Sequence, residues 1–336
     1  MTDARRLHAD ALVIDGLVYH CDGDATDLRA GGVDALNVTV CHFEADFPDA
    51  CAQIARWHGI LSAPNAPWRL IERAADLDRA KAEGKIGLIM GWQNTRPVAD
   101  QPERLDFFHR LGLRIMQLTY NYRNFYGDGC LEPEGAGLTS LGHELIGHMN
   151  RLGIAIDLSH VGEATSRDVI EASTDPVLIT HANAHALLPI ERNKTDAMIR
   201  AVVAKGGLIG ASIYGPMCWS GDVTRRPTID DYVRHLEHLV NVAGIAHVSF
   251  GTDLGTGADL KKIAFERLTP RRWPVIDRFN SAFGNEIPDR YLDGCASHRD
   301  LPKITEALSK RGWSDDHIRG YLGGNLRRVL AQIWRG

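Results

Sequence analysis

The chain has 336 residues, 44% hydrophobic and 24% charged, with a formal net charge of −5 at neutral pH, the balance of an ordinary globular protein. The acidic balance argues against a nucleic-acid partner, which calls for a basic face, and no run of about 18 apolar residues suggests a membrane span. Cys21, Cys41, Cys51, Cys130, Cys218 and Cys295 are scattered without a CxxC pair. That pattern fits reduced thiols in a cytoplasmic protein better than a disulfide framework. Arg5 and Arg6 are followed by no apolar segment, so no signal peptide is expected.

Short, continuously apolar runs recur along the chain. They are Ala11–Leu17, Ala35–Val40, Ile86–Trp92, Ile115–Tyr120, Ile154–Ser159, Pro176–His181, Leu208–Ile213 and Val248–Asp253. Their length and their Gly, Pro or Asp boundaries predict strands. Continuous apolarity without alternation suits parallel strands covered by helices. The intervening patterns predict helices at Asp46–Leu61, Glu103–Leu111, Ser140–Leu152, Glu163–Ala172, Asp196–Lys205, Thr228–Val242, Leu301–Lys310 and Asp315–Trp334. Eight strands alternating with helices predict an α/β fold, a (β/α)8 TIM barrel in one domain over residues 1–336. The alternative, an open doubly wound sheet, lacks a GxGxxG after the first strand. The segment Gly255–Asp289 is rich in Pro, Arg and Lys, and a lid or surface excursion over about 255–298 is expected there rather than a domain.

In such a barrel the chemistry sits where the strands end. The fifth predicted strand ends in Asp157-Leu158-Ser159-His160, the sixth in Thr180-His181-Ala182-Asn183 and the eighth in Gly251-Thr252-Asp253. One histidine alone is more often structural. Histidines ending two consecutive strands, with an aspartate ending the last, point to a site, because neutral imidazole suits zinc and a nearby carboxylate can move protons. His160, His181 and Asp253 are therefore the catalytic and metal candidates. Gln93, Tyr120, Asn121 and Tyr214, which end other strands, are candidate substrate contacts.

The segments Val13-Ile14-Asp15-Gly16, Leu118-Thr119-Tyr120-Asn121, Asp157-Leu158-Ser159-His160-Val161, Thr180-His181-Ala182-Asn183-Ala184, Glu191-Arg192-Asn193, Gly251-Thr252-Asp253 and Gly323-Gly324-Asn325-Leu326 follow in order over nearly the whole chain. As a set they resemble the membrane (renal) dipeptidase family of zinc dipeptidases, of the amidohydrolase type. The resemblance implies a metal-dependent hydrolase of the metallopeptidase kind. It makes His160 and His181 ligands of the second zinc of a two-zinc centre, Arg192 and Asn193 substrate contacts with Arg192 on the carboxylate, and Asp253 the proton shuttle. An Arg fork matches a carboxylate through two parallel donors.

The chain also departs from the family. The family's Asp-Gly-His-x-Asp motif, which supplies two ligands of the first zinc, reads Asp15-Gly16-Leu17-Val18-Tyr19 here. The bridging Glu falls at Gln93, and the substrate-contacting His after the fourth predicted strand at Tyr120. Two rescues are open. His20 and Asp22 form a His-x-Asp three residues late, which needs a bulge or a loop to turn them inward, and His42 and Glu44 stand at the end of the second predicted strand. The expectation is one zinc ion at most, held by His160 and His181 and completed by Asp253 or one of those groups, with a metal-free site as the alternative. The expected substrate is a small molecule with a carboxylate and an amide, such as a dipeptide. Another amide or lactam hydrolysis, an isomerase or lyase step, and a non-catalytic binding role are the competing functions. No membrane partner is expected, and a homodimer is left open.

Overall fold

A computed structural model describes residues 3–257, 273–284 and 286–334. Among these residues ten strands form one all-parallel sheet. They are β1 (Ile14–Cys21), β2 (Ala35–Thr39), β3 (Trp68–Leu70), β4 (Ile86–Trp92), β5 (Leu113–Gln117), β6 (Ala155–Asp157), β7 (Leu178–Ile179), β8 (Leu208–Ala211), β9 (Val248–Phe250) and β10 (Leu254–Thr256). The order is β10-β1-β2-β4-β5-β6-β7-β8-β9, with the short β3 beside the beginning of β4. β9 and β10 are two halves of one stave: the first pairs with β8 and the second with β1. Between them Gly251 N donates to Ala211 O and Asp253 N to Leu17 O, both at 3.0 Å. The sheet thus curls round on itself into an eight-stave (β/α)8 barrel, which rules out the open doubly wound alternative.

Helices Phe47–Leu61, Arg104–Arg110, Ser140–Leu152, Glu163–Ala172, Asp196–Ala204, Ile229–Ala243 and Leu301–Lys310 lie within a residue or two of expectation. Side-chain caps explain where several begin. Asp46 and Thr228 form capping boxes with Asp49 and Asp231, and Thr139 and Thr195 accept from Gly142 N and Met198 N. Elements not expected are β3, β10 and helices Ala4–Asp10, Thr26–Ala30, Ala74–Ala82 and Pro274–Phe283.

Two expectations need correction. β1 runs four residues further than predicted, so Tyr19, His20 and Cys21 lie in the strand and not in a loop. Its register shifts between Asp15 and Val18 against β2, and between Val18 and His20 against β10. The helix predicted over Asp315–Trp334 is broken into Asp315–Arg319, a wide turn Gly320–Gly324, and Asn325–Ile333. The break follows from close packing: a Cβ on Gly323 would lie 2.4 Å from Leu12 O. The final helix then seats Leu326, Val329 and Leu330 against Ile14, Ala35, Ile115, Ala155, Leu178 and Leu208, the barrel floor. Asn325 Nδ2 holds Ile245 O and Val248 O at 2.8 Å each.

Of the expected excursion at 255–298, residues 258–272 and 285 lie outside the described residues. The described part contains the helix Pro274–Phe283 and a tight turn Ile287–Arg290. All six cysteines are unpaired. Among the described residues no helix is long and apolar enough to cross a membrane.

Candidate active site

Two buried aspartates hold the strand ends that carry the site. Asp15 accepts from Leu17 N (3.1 Å), Thr252 N (2.8 Å), Thr252 Oγ1 (2.5 Å) and His298 Nε2 (3.0 Å), which ties β1 to the β9–β10 junction. Asp157 does the same between β6 and the end of β7 through Ser159 and Thr180. His160 and His181 follow directly. His160 is 5% exposed and His181 is fully buried, and their Nε2 atoms face each other at 3.2 Å. Burial, and then the Arg192 guanidinium, hold both imidazoles well below their ordinary pKa, so both are neutral near pH 7.

Asp253 stands in the break between β9 and β10 with φ +58°, a left-handed conformation uncommon outside glycine. Burial pushes its carboxyl up to about 7, partly opposed by Arg192. Strain of this kind is held in place by its surroundings, here by the Asp253 N bond to Leu17 O and by Tyr291 Oη, which donates to Asp253 O at 2.6 Å.

The cavity at the strand ends is lined by His20, His42, Glu44, Gln93, Tyr120, Asn121, His160, Arg192, Tyr214 and Asp253 among others. His181 is not part of its wall and meets it through His160. Tyr120 stacks on the His160 ring (centroids 4.2 Å apart) and Phe43 stacks on Tyr120 (3.9 Å). Burial raises the phenols of Tyr19, Tyr120 and Tyr214, so they act as neutral donors. Asn121 does not offer its oxygen to the cavity, because Oδ1 meets His160 Nδ1 at 2.7 Å. Arg192, 2% exposed, donates to Ser159 O through Nη1 and to His181 O through Nη2 (3.3 Å), bracing both histidine-bearing turns. Asn193 does not line the cavity; its amide bridges Leu188 O (3.0 Å) and Met217 O (3.3 Å).

The rescue groups do not converge on the imidazole pair. Asp22 Oδ1 accepts from Asp24 N (2.9 Å), and its carboxylate packs against Gly257. His42 Nδ1 accepts from Glu44 N (3.1 Å), and Glu44 pairs with Arg96 at 3.0 Å. His20 reaches the cavity wall through the shifted register of β1. Among the described residues, no three His, Cys, Asp or Glu side chains stand close enough together to share an ion. Asp253 therefore does not complete a three-ligand set with the histidines.

A two-zinc centre does not fit this donor set. Leu17 and Tyr19 stand where two ligands are expected. Gln93, at the bridging position, gives Nε2 to Thr39 Oγ1 (2.9 Å) and leaves Oε1 buried without a partner. One ion does fit between the imidazoles. The facing Nε2 atoms of His160 and His181, 3.2 Å apart, are the neutral nitrogen donors that would hold it.

Four neighbours of the site carried no sequence signal. Trp273 donates to Glu191 Oε2 (3.1 Å), Tyr291 caps Asp253, Phe43 closes the ring stack, and the buried Lys194 donates to Val161 O (3.0 Å). Burial lowers the Lys194 pKa to about 8.

Residues 10–266 match the model of the membrane dipeptidase family, peptidase family M19. A protein described as dipeptidase aclJ from Aspergillus oryzae is 28% identical over 254 residues, covering 74% of this chain and 52% of its own length. Dipeptidase tcpJ from Claviceps purpurea is 26% identical, covering 86% and 61%. This chain thus spans little more than half the length of these curated relatives. A solved structure described as an amidohydrolase from Pseudomonas aeruginosa is 32% identical, with TM-score 0.85 and 99% of each chain covered. A metallopeptidase from Rhodobacter sphaeroides, liganded with a phosphinate mimic of L-Ala-D-Ala, shares the fold at TM-score 0.79 and 21% identity, with 97% of this chain and 100% of that chain covered.

Proposed function

Because the chain belongs to the membrane dipeptidase family, peptidase family M19, we propose that it is a hydrolase cleaving the amide of a dipeptide or a similar small molecule bearing a carboxylate. The observation that carries this reading is the convergence of two neutral imidazoles, Nε2 to Nε2 at 3.2 Å, with Asp253 on the cavity that His160 lines. His160 and His181 would hold one zinc ion, which supplies Lewis acidity to polarise the scissile carbonyl.

The chain's own groups do the rest. An Asp253 carboxylate oxygen takes a proton from the attacking water and returns it to the departing amine nitrogen, and a pKa near the working pH suits both transfers. Arg192 directs the edge of its guanidinium not used by Ser159 O and His181 O to the substrate carboxylate. Tyr120 and Tyr214 add neutral donors on the same wall.

The test is metal content per chain by plasma mass spectrometry with and without added zinc, alongside hydrolysis of a panel of L- and D-dipeptides. About one zinc per chain with dipeptide turnover supports the reading. About two would require His20, Asp22, His42 or Glu44 to rebuild the first site. No zinc after reconstitution and no turnover would overturn it. The neutral groups Leu17, Tyr19 and Gln93 at three ligand positions favour a second reading, hydrolysis of another amide or lactam.

A further inference from the structure

A neutral imidazole carries a single ring proton, and the partner of one nitrogen decides which nitrogen bears it. The partners of both Nδ1 atoms here are buried and constrained. At His181, Nδ1 lies 2.8 Å from Thr180 Oγ1. The Thr180 hydroxyl has one proton, and it goes to Asp157 Oδ2 at 2.6 Å. Its oxygen can therefore only accept, and His181 Nδ1 must donate. The competing contact, Ser159 Oγ at 3.2 Å from Thr180 Oγ1, supplies no proton, because the Ser159 hydroxyl donates to Asp157 Oδ1 at 2.6 Å. Asp157 is thus fully occupied: Thr180 N (2.9 Å) and Ser159 N (3.0 Å) complete its four donors.

At His160, the amide oxygen of Asn121 accepts from Nδ1 at 2.7 Å. The same oxygen takes the Cys130 thiol at 3.7 Å. The backbones cannot drift from these positions. Thr180 O lies 2.1 and 2.2 Å from where Cβ atoms on Gly210 and Gly251 would be, and His160 N donates to Gln117 Oε1 at 3.1 Å.

We propose that Asn121 and Thr180, the latter set by Asp157, are positioning residues that lock His160 and His181 in the Nδ1–H form and leave both Nε2 atoms bare. Two bare nitrogens facing each other at 3.2 Å repel, and a single electrophile between them relieves that repulsion. The fold thereby stores a preference for one cation, in keeping with the orienting role of partners behind metal-bound histidines. The inference rests on reading His160 and His181 as the zinc-holding pair, but its test is separable from that reading.

The experiment is long-range 15N–1H correlation on the full chain labelled with 15N-histidine, after chelation, with the two rings assigned through His160→Gln and His181→Gln. The expected spectrum shows Nδ1–H and unprotonated Nε2 in both rings. An Nε2–H form in either ring overturns the proposal. In parallel, zinc affinity is measured by competition with a chromogenic chelator. Thr180→Val and Asn121→Leu should weaken zinc binding by roughly tenfold to a hundredfold, while Thr180→Ser and Asn121→Asp, which keep the accepting oxygen, bind no more than about threefold more weakly than wild type. Equal losses in Thr180→Ser and Thr180→Val would mean that the side chain matters for packing and not for the proton, and would overturn the assignment. Both rings in the Nδ1–H form without zinc binding would support the lock while removing the zinc reading.

Discussion

The site is a small number of side chains doing more than one thing each. His160 and His181 are neutral because they are buried beside Arg192 and Lys194. His160→Ala or His181→Ala should remove dipeptide turnover and the bound zinc while circular dichroism and the melting temperature hold; undiminished turnover in either variant would sink the assignment. Arg192 is a brace as well as a candidate clamp. Arg192→Ala should raise KM for carboxylate substrates with a smaller change in kcat, and should also cost about 1–3 kcal/mol in urea unfolding, because the buried carbonyls of Ser159 and His181 lose their donors. An unchanged KM would remove the clamp and leave only the brace.

At the scale of elements, helices act on the site through what they press against it. Helix Ile229–Ala243 turns His235 inward, where Nδ1 accepts from Ala184 N at 3.2 Å, three residues beyond His181. An accepting Nδ1 cannot carry a proton. Burial, with help from Arg234, lowers the His235 pKa to about 4 from 6.5. The folded state therefore binds fewer protons than the unfolded state between those values, and stability rises with pH across that window. The contribution is complete above about pH 6.5 and is lost as pH falls toward 4, amounting to about 3 kcal/mol at most. His235→Asn keeps an acceptor that does not titrate. Urea melts of the variant should show a shallower loss between pH 6.5 and 4.5 than wild type, and parallel losses would exclude His235 as a contributor.

The whole molecule is a closed barrel whose two ends have different tasks. The strand ends carry the polar cavity, and the opposite end is sealed by the last helix. Leu326, 1% exposed, plugs the floor formed by Ile14, Ile115, Leu178 and Leu208. Leu326→Ala should cost about 2–5 kcal/mol by chemical denaturation, with catalytic constants per folded molecule unchanged because the floor is remote from the cavity. At the other end, the described part of the excursion after β10 is fastened by Trp273 to Glu191, next to Arg192, and by Tyr291 to Asp253, the proposed shuttle.

Much of this was legible in the amino-acid order. Continuous apolar runs between capped helices specify parallel strands because both faces are covered, and His160, His181 and Asp253 stand out because strand ends in a barrel converge. The missing donors at the family's first-site positions were equally plain, since Leu17 and Gln93 are neither an imidazole nor a carboxylate. What the order of residues could not decide is where side chains spend their hydrogen bonds. Asn121 and Asn193 look alike as substrate contacts, yet Asn121 lines the cavity with its amide oxygen turned to His160, while the Asn193 amide spans loop carbonyls outside the cavity wall. Asp22, His42 and Glu44 look like spare ligands, yet turn and ion-pair partners hold them away. The β1 register shifts, the break at Gly323 and the tyrosine that caps Asp253 depend on contacts between residues far apart in the chain. Local propensity sets the strands and helices, whereas the direction of a polar side chain is set by whichever donor or acceptor the closed barrel brings within about 3 Å.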